Sequence, residues 1–202
     1  MKQDERKEIT RKKILNSAFR ITLDMGFSNA TTREIAKEAG LSEGAIFYHF
    51  KDKKILFEKM VEEYARDYLK RLEVALSYNT DSYKLLMRLI ELHIERFISK
   101  ESILNLVFGP GGGAEGYHIK VIFNKAVKPY IKFISKIFTD GIKRGIFIDE
   151  NEEFLAASLL GMVNIFCIMV VTQEENIFGG REEIMRVLKL IATRAFVKER
   201  IT

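Results

Sequence analysis

Side chains able to bind phosphates and base edges cluster between residues 31 and 54 of this 202-residue chain. Tyr48 and His49 can donate hydrogen bonds to phosphate oxygens, and the lysines that follow them add positive charge. Gly44 and Ala45 are small enough to let a backbone come close to base edges. The chemistry indicated is nucleic-acid binding, and the candidate contacts are Thr31, Thr32, Arg33, Ser42, Glu43, Gly44, Ala45, Phe47, Tyr48, His49, Lys51, Lys53 and Lys54.

Two residues of this set differ from simple phosphate ligands. Glu43 can accept a hydrogen bond from a cytosine amino group, or it can stabilise the positive end of a helix that begins there. The second role is common for acidic residues in a first helical turn, and both readings stay open. Phe47 cannot donate a hydrogen bond, so the contact open to it is an apolar one with a thymine methyl group.

Two short helices joined by a tight turn must position these side chains. Thr31 and Glu34 have the spacing of a capping box, which predicts a helix start. Gly40 can adopt the left-handed conformation that ends this helix, and Ser42 can cap the next one. The inward faces are formed by apolar residues at helical spacing, namely Ile35, Ala36, Ala39, Ile46 and Phe50. Residues 31–50 are therefore predicted to form a helix-turn-helix, whose second helix enters the DNA major groove.

These residues resemble the signature of the TetR/AcrR family of transcriptional regulators. The resemblance extends from about Ile9 to Phe57 and rests on the pattern Thr31-Thr32-x-x-Ile35-Ala36-x-x-Ala39-Gly40-Leu41-Ser42-x-Gly44-x-Ile46-Phe47-Tyr48-His49-Phe50-Lys51-x-Lys53-x-x-Leu56. Phe47 departs from it, because the family usually has tyrosine there. The resemblance implies a regulator that dimerises through its last two helices and binds a ligand in its C-terminal domain.

Helix signals dominate the whole chain, which predicts an all-α fold. We expect an N-terminal three-helix helix-turn-helix DNA-binding domain, residues 1–52, followed by a larger helical dimerisation and ligand-binding domain, residues 53–202. A homodimer carries two reading helices, so the expected partner is a near-palindromic double-stranded DNA. The function predicted is sequence-specific regulation of transcription, as a repressor released from its operator by a small apolar or aromatic effector.

The charge distribution agrees with an anionic partner for the N-terminal part. Residues 1–54 contain twelve Lys and Arg against eight Asp and Glu, whereas the remainder contains 21 against 20. Cys167 is the single cysteine, so an intramolecular disulfide is excluded and a reducing compartment is indicated. The first residues lack the apolar core of a signal peptide, and the expected location is the cytoplasm.

Apolar spacing and turn residues outline the remaining helices. The expected ranges are 9–25, 52–76, a helix from about 82 onward, 117–144 with an interruption at Pro129, 152–172 and 182–198. The expected loops are the polar turn 79–82, the glycine-rich segment Gly109–Gly116 and the turn Gly145–Asp149.

The segment from Phe154 to Val171 is apolar apart from Ser158 and Asn164. Its length approaches that of a membrane span, but acidic residues flank it where Lys or Arg would be expected. We predict instead a helix buried on two sides, by its own domain and by a second subunit. The candidate dimer contacts are Ala157, Gly161 and Asn164.

Other chemistry is weaker. Gly111-x-Gly113-x-x-Gly116 matches a dinucleotide-binding fingerprint, but that site needs a parallel sheet, and helical spacing follows it. A helical nucleotide-binding protein or enzyme built around Gly109–Gly116 is the alternative function. His93, His118 and Glu115 lack the close spacing of a metal site, and Cys167 has no activating base in view. No metal, cofactor or catalytic activity is predicted.

Aromatic residues after Phe57 have two interpretations. They can fill an all-helical core, or they can line a cavity for an apolar or aromatic ligand. The family resemblance implies such a pocket, and composition alone does not say which side chains face it. The candidate pocket residues are His93, Phe97, Phe108, Tyr117, Phe123 and Phe166.

Overall fold

The computed structural model describes residues 3–78, 80–108, 116–172 and 180–198. These residues are helical apart from short connections and one isolated antiparallel bridge between Phe147 and Val197. The predicted all-helical fold is confirmed. The helices are α1 (Gln3–Asn29), α2 (Thr32–Glu38), α3 (Glu43–His49), α4 (Lys53–Leu76), α5 (Ser82–Ile98), α6 (Asn105–Phe108), α7 (Tyr117–Ile122), α8 (Lys128–Lys143), α9 (Glu152–Thr172) and α10 (Arg181–Phe196).

The chain forms two compact units. The first contains residues 1–67 and 102–127, and the second contains residues 68–101 and 128–202. The first part of α4 belongs to the first unit because it packs on α1, where the Phe19 and Tyr64 rings stack with centroids 3.7 Å apart. The predicted functional division after residue 52 stays a prediction, and the compact units are divided elsewhere.

The core of the first unit joins α1, α2, α3 and the start of α4. Ile14, Ile35, Ile46 and Phe57 are all buried there. Helix α1 is longer than predicted at both ends. Gly26 interrupts it with φ 77°, as expected of a glycine at a helix break, but helical geometry resumes up to Asn29.

The helical segment predicted from Tyr117 to Arg144 is interrupted, as expected, but the interruption lies just before Pro129. Residues Phe123–Val127 form a π-helical turn, which separates α7 from α8. Pro129 lies in the first turn of α8, where a missing amide hydrogen removes no bond within that helix. Helix α8 packs most extensively against α9 in the second unit.

Helix α9 is only partly covered in the single chain. Leu155, Ala156 and Leu159 are buried, whereas Phe154 is 76% exposed and Ile165 is 51% exposed. Its 18-residue window Glu152–Met169 is long and apolar enough to cross a membrane by length and composition, and 33% of that window is buried. Of the two buried sides predicted for this helix, the side against its own domain is present, and burial of the other side by a second subunit stays a prediction.

Candidate nucleic-acid interface

Local hydrogen bonds fix the start of α2 and α3. The Glu34 amide donates to Thr31 Oγ1 at 3.1 Å and the Thr31 amide donates to Glu34 Oε2 at 3.0 Å, which completes the predicted capping box. The Thr31 amide and hydroxyl hold the pKa of the Glu34 carboxyl below its usual value. Ser42 caps α3 by accepting from the Ala45 amide at 3.3 Å. Both predicted caps are confirmed, so the two helix starts are set by their own sequence.

The turn between the helices depends on Gly40, whose φ of 60° is in the left-handed region. The Leu41 amide then donates to the Ala36 carbonyl oxygen at 2.9 Å, closing the turn. Ile46 and Phe50 anchor α3 in the core of the first unit. The rest of α3 is thereby turned outward.

The outward face of α3 is a single stripe. Glu43, Gly44, Phe47 and Tyr48 are exposed, at the spacing that places residues one turn apart on one side of a helix. The two aromatic side chains are 51% and 70% exposed respectively, although neither has a reason of its own to face water. Ala45 and His49 are half-buried at the margins of the stripe. This stripe is the surface that α3 can present to base edges.

Gly44 is not required by the fold. A Cβ atom added there would meet only Ser42 Oγ, at an ordinary 3.8 Å, and the backbone is not in the left-handed region. A glycine within a helix is less favourable than alanine by roughly 0.5–1 kcal/mol. Packing within the protein therefore does not explain a glycine at this position.

A tertiary hydrogen bond joins the first turns of the two helices. The Thr32 hydroxyl donates to Glu43 Oε1 across eleven residues of sequence. Local spacing could not have predicted this contact. It holds two of the predicted DNA contacts against each other, while the neighbouring Arg33 is exposed to solvent.

The lysines after α3 differ in whether other residues of the protein hold their ammonium groups. Lys51 and Lys54 are exposed, and Lys54 Nζ lies 5.6 Å from the centroid of the Tyr117 ring. Lys53 Nζ donates to the Ser28 carbonyl oxygen at 3.2 Å and lies 4.5 Å from the centroid of the Phe27 ring. Burial lowers the pKa of Lys53 from its ordinary value. Lys53 thus has a structural contact in addition to its predicted phosphate contact.

His49 and Tyr48 lie beside the N-terminal end of α1. Lys7 Nζ is 5.4 Å from the centroid of the Tyr48 ring, and it adds a cation that the candidate set lacked. Burial, together with the positive charges of Lys7 and Arg11, lowers the pKa of His49 from its ordinary value. This shift favours the neutral imidazole ring, which can still donate a hydrogen bond to a phosphate.

The first unit also matches known regulators by sequence. Residues 14–60 match the family described as bacterial regulatory proteins, tetR family. The chain is similar to the HTH-type transcriptional regulator AcrR of Shigella flexneri, at 47% identity over 53 residues, which is 26% of this chain and 25% of that protein. The helix-turn-helix of this chain belongs to the tetR family of bacterial regulatory proteins. The chain is a DNA-binding regulator and not an enzyme.

Two solved structures show the same fold over almost the whole chain. One is a protein from Saccharomonospora viridis in complex with choline, with a TM-score of 0.78 and 22% identity, covering 95% of this chain and 100% of that one. The other is the transcriptional regulator FadR of Bacillus subtilis in complex with stearoyl-CoA, with a TM-score of 0.73 and 18% identity, covering 90% and 97%. At these identities the likeness establishes the fold alone.

The second unit of this TetR-family regulator contains a buried polar chain. His93 Nδ1 lies 3.2 Å from Tyr130 Oη, and His93 Nε2 lies 2.8 Å from Asn164 Oδ1. Tyr130 Oη is in turn 3.4 Å from Tyr68 Oη. Burial lowers the pKa of His93 to about 4, so the ring is neutral at pH 7. Asn164, a candidate dimer contact, points to His93 of its own chain.

The candidate pocket residues belong to both units. Phe97 is buried in the second unit, as is His93, and Phe166 is half-buried there. Tyr117 and Phe123 belong to the first unit and are 40% and 46% exposed, and the assignment of these residues to one pocket stays a prediction. The side chain of Phe108 lies outside the described residues. Aromatic content alone could not separate core, surface and cavity.

Two grooves are present in the described part of the second unit. The larger has a volume of about 360 Å³, and its apolar wall is formed by Leu76, Leu85, Phe133 and Ile137. The other has a volume of about 320 Å³ and is lined by Tyr68, the half-buried end of the polar chain, and by Arg96. None of the six candidate pocket residues lines either groove.

The weaker alternatives gain no support. The apolar run before the glycine-rich segment is helical in α6, not a strand, which removes the context of a dinucleotide fingerprint. Most of Gly109–Gly116, including Glu115, lies outside the described residues. Among the residues that are described, no group of three metal-ligating side chains occurs. Cys167 is buried, and burial raises its pKa to about 12, so it is not an activated thiol.

Proposed function

We propose that this regulator is a cytoplasmic, homodimeric repressor that binds a near-palindromic operator and is released by a small apolar or aromatic effector. The observation that carries the dimer is the uncovered apolar face of the last two helices. On α9, Phe154, Ala157, Gly161 and Ile165 are exposed at helical spacing. An apolar face of this length is rarely left in contact with water by a monomer.

Helix α10 also exposes large apolar side chains within the same unit. Leu190 and Ile191 are 45% and 38% exposed, and α9 packs beside α10. A dimer formed through these two helices contains two copies of α3, which are related by a two-fold axis. Two-fold symmetry in the protein requires inverted half-sites about 34–36 Å apart, or a multiple of one DNA turn.

A pair of matched variants tests this interface. Ile165→Glu places a charge in the centre of the proposed contact, and Val74→Glu places the same charge on α4, where Val74 is 64% exposed. We expect sedimentation equilibrium at micromolar concentration to show a dimer for the wild type and Val74→Glu, and a monomer for Ile165→Glu. A monomeric wild type, or a dimer that survives Ile165→Glu with unchanged affinity, contradicts the interface.

Gly161 gives a second probe that leaves the single chain unstrained. A Cβ atom added at Gly161 meets nothing within 4 Å, so a larger side chain has room in the isolated subunit. Gly161→Leu should therefore keep the helical circular dichroism of the wild type while weakening the dimer. An unchanged dimer would remove Gly161 from the contact and leave the Ile165 test standing.

The effector proposal rests on the second unit. Its larger groove offers an apolar wall, and structural relatives were solved with choline and with stearoyl-CoA. A ligand releases DNA only if it binds the DNA-incompetent arrangement more tightly, and a coupling of about 1–3 kcal/mol is enough. Helix α4 starts next to the helix-turn-helix in sequence and ends in the second unit, which gives a covalent route for the change.

A ligand panel containing choline, stearoyl-CoA and planar aromatic compounds tests the effector. Thermal stability reports binding, and fluorescence anisotropy of labelled operator reports release. We expect at least one compound to raise the melting temperature and weaken operator binding by about 5- to 150-fold. Compounds that stabilise the protein but leave operator affinity unchanged would contradict the coupling.

A further inference from the structure

We propose that Glu43 is a specificity-determining residue that accepts a hydrogen bond from the 4-amino group of a cytosine in each operator half-site. The inference rests on the DNA-binding function and adds the base that one side chain reads. Three observations support it: the contact between Glu43 and Thr32, the helix surface without a side chain at Gly44, and the exposed position of Phe47.

The Glu43 carboxylate is directed away from its own helix start. Its Oε1 accepts from the Thr32 hydroxyl on α2, and Ser42 already caps α3 through the Ala45 amide. No bond from Glu43 to an α3 amide occurs among the described residues. The orientation of the Glu43 carboxylate is therefore set by Thr32 on α2 and not by the amides of its own helix.

A carboxylate is an unfavourable group on a surface that meets phosphates. DNA carries one negative charge for roughly every 1.7 Å of its axis, and an unpaired carboxylate beside it is repelled. The group is tolerated on such a surface when a base supplies a donor, and the cytosine 4-amino group is the donor that carboxylates read in the major groove. Thr32 leaves Oε2 of Glu43 available for that donor.

Gly44 and Phe47 place this carboxylate among base edges. The next residue in the chain, Gly44, has no side chain to hold DNA away, although alanine would fit within the protein. Phe47 is 51% exposed one helical turn after Glu43, about 6 Å along the axis. Because successive base pairs rise by about 3.4 Å, the cytosine should lie within about two base steps of a thymine whose methyl group contacts Phe47.

The decisive experiment uses a base analogue and the wild-type protein. Selection from randomised duplexes should enrich one cytosine per half-site near a thymine. Replacing that cytosine by 2-pyrimidinone, which lacks the 4-amino group, should weaken wild-type binding about tenfold, the effect of one good base contact. Equal affinity for the two duplexes overturns the proposal, and no variant has to fold for this result.

Glu43→Ala with Glu38→Ala as its control gives the second arm. Glu38 is an exposed carboxylate on α2 that pairs with Arg20 at 3.0 Å, away from the α3 stripe. Glu43→Ala should lose the preference for cytosine at that position and become insensitive to 2-pyrimidinone, whereas Glu38→Ala should retain both.

The possible failures of the two arms are distinct. If Glu43→Ala enriches the same sequence as the wild type and merely binds every duplex more tightly, its charge acts only as repulsion and the inference fails while DNA binding stands. If the wild type enriches no sequence at all, the operator proposal fails, and the inference fails with it.

Discussion

Replacing Gly44 by alanine should separate folding from DNA binding. The added Cβ would lie 3.8 Å from Ser42 Oγ, so the first unit needs no adjustment. Alanine also restricts the unfolded chain and suits a helix better than glycine, which should stabilise the protein by about 0.4–1 kcal/mol. For a chain of this size, that corresponds to a melting temperature higher by roughly 1–4 °C.

The same methyl group should weaken operator binding. It projects from the stripe that contains Glu43, Phe47 and Tyr48, where a base edge or phosphate is expected to touch the backbone. An extra methyl group in a closely packed contact typically costs about 1–3 kcal/mol, so affinity should fall by about 5- to 150-fold. Calorimetric melting and anisotropy titration of the selected operator measure the two effects on one preparation.

Gly141→Ala is the control for a glycine that the fold does require. A Cβ atom at Gly141 would lie 2.1 Å from a ring carbon of Phe147, so this variant should lose stability by roughly 1–3 kcal/mol. If Gly44→Ala is destabilised in the same way, the description of the space around Gly44 is wrong. If it gains stability and binds the operator as tightly as wild type, the backbone of α3 does not approach the DNA.

Three further outcomes follow from the same structure. Lys51→Ala should reduce the slope of log affinity against log salt by about one per subunit and leave the melting temperature unchanged. Lys53→Ala should reduce the slope and also lower the melting temperature, because Lys53 donates a hydrogen bond to the Ser28 carbonyl. Equal changes in the two variants would contradict this difference between the two lysines. The pKa of His93 is about 4 in the folded protein and 6.5 in the unfolded chain. The free energy of unfolding should therefore be unaffected by His93 above pH 6.5 and should fall by about 3 kcal/mol as the pH decreases to 4. An NMR titration of folded protein that gives His93 a pKa near 6.5 would refute this. Cys167 should resist a thiol reagent at pH 8 in the native protein and react once the chain is unfolded, and rapid native reaction would contradict its burial.

Features set by neighbouring residues could be predicted from the sequence. The capping box at Thr31, the left-handed Gly40 and the Ser42 cap depend on residues within four positions, and all three are present. The cap of α4 also agrees, since the Ile55 amide donates to Asp52 Oδ1 at 2.8 Å. These local rules, together with a helical apolar spacing, were sufficient for the fold class and for the first unit's helix-turn-helix.

Features that depend on distant residues could not be predicted in the same way. The bond between Thr32 and Glu43 and the contact of Lys53 with Ser28 require the folded arrangement of α1, α2, α3 and α4. The residues that line a pocket could not be identified from the sequence for the same reason, because aromatic composition does not indicate which unit a side chain joins. Tyr117 belongs to the first unit, whereas the buried His93 belongs to the second.

Selection of operator sequences by the wild-type protein, followed by measurement of how many subunits bind each selected duplex, tests the central claim most directly. The account predicts an inverted repeat whose half-site centres are one DNA turn or a multiple of it apart, occupied by a pair of subunits, with an affinity that decreases steeply with salt. Enrichment of no sequence, or binding of single subunits to a site without two-fold symmetry, would contradict it.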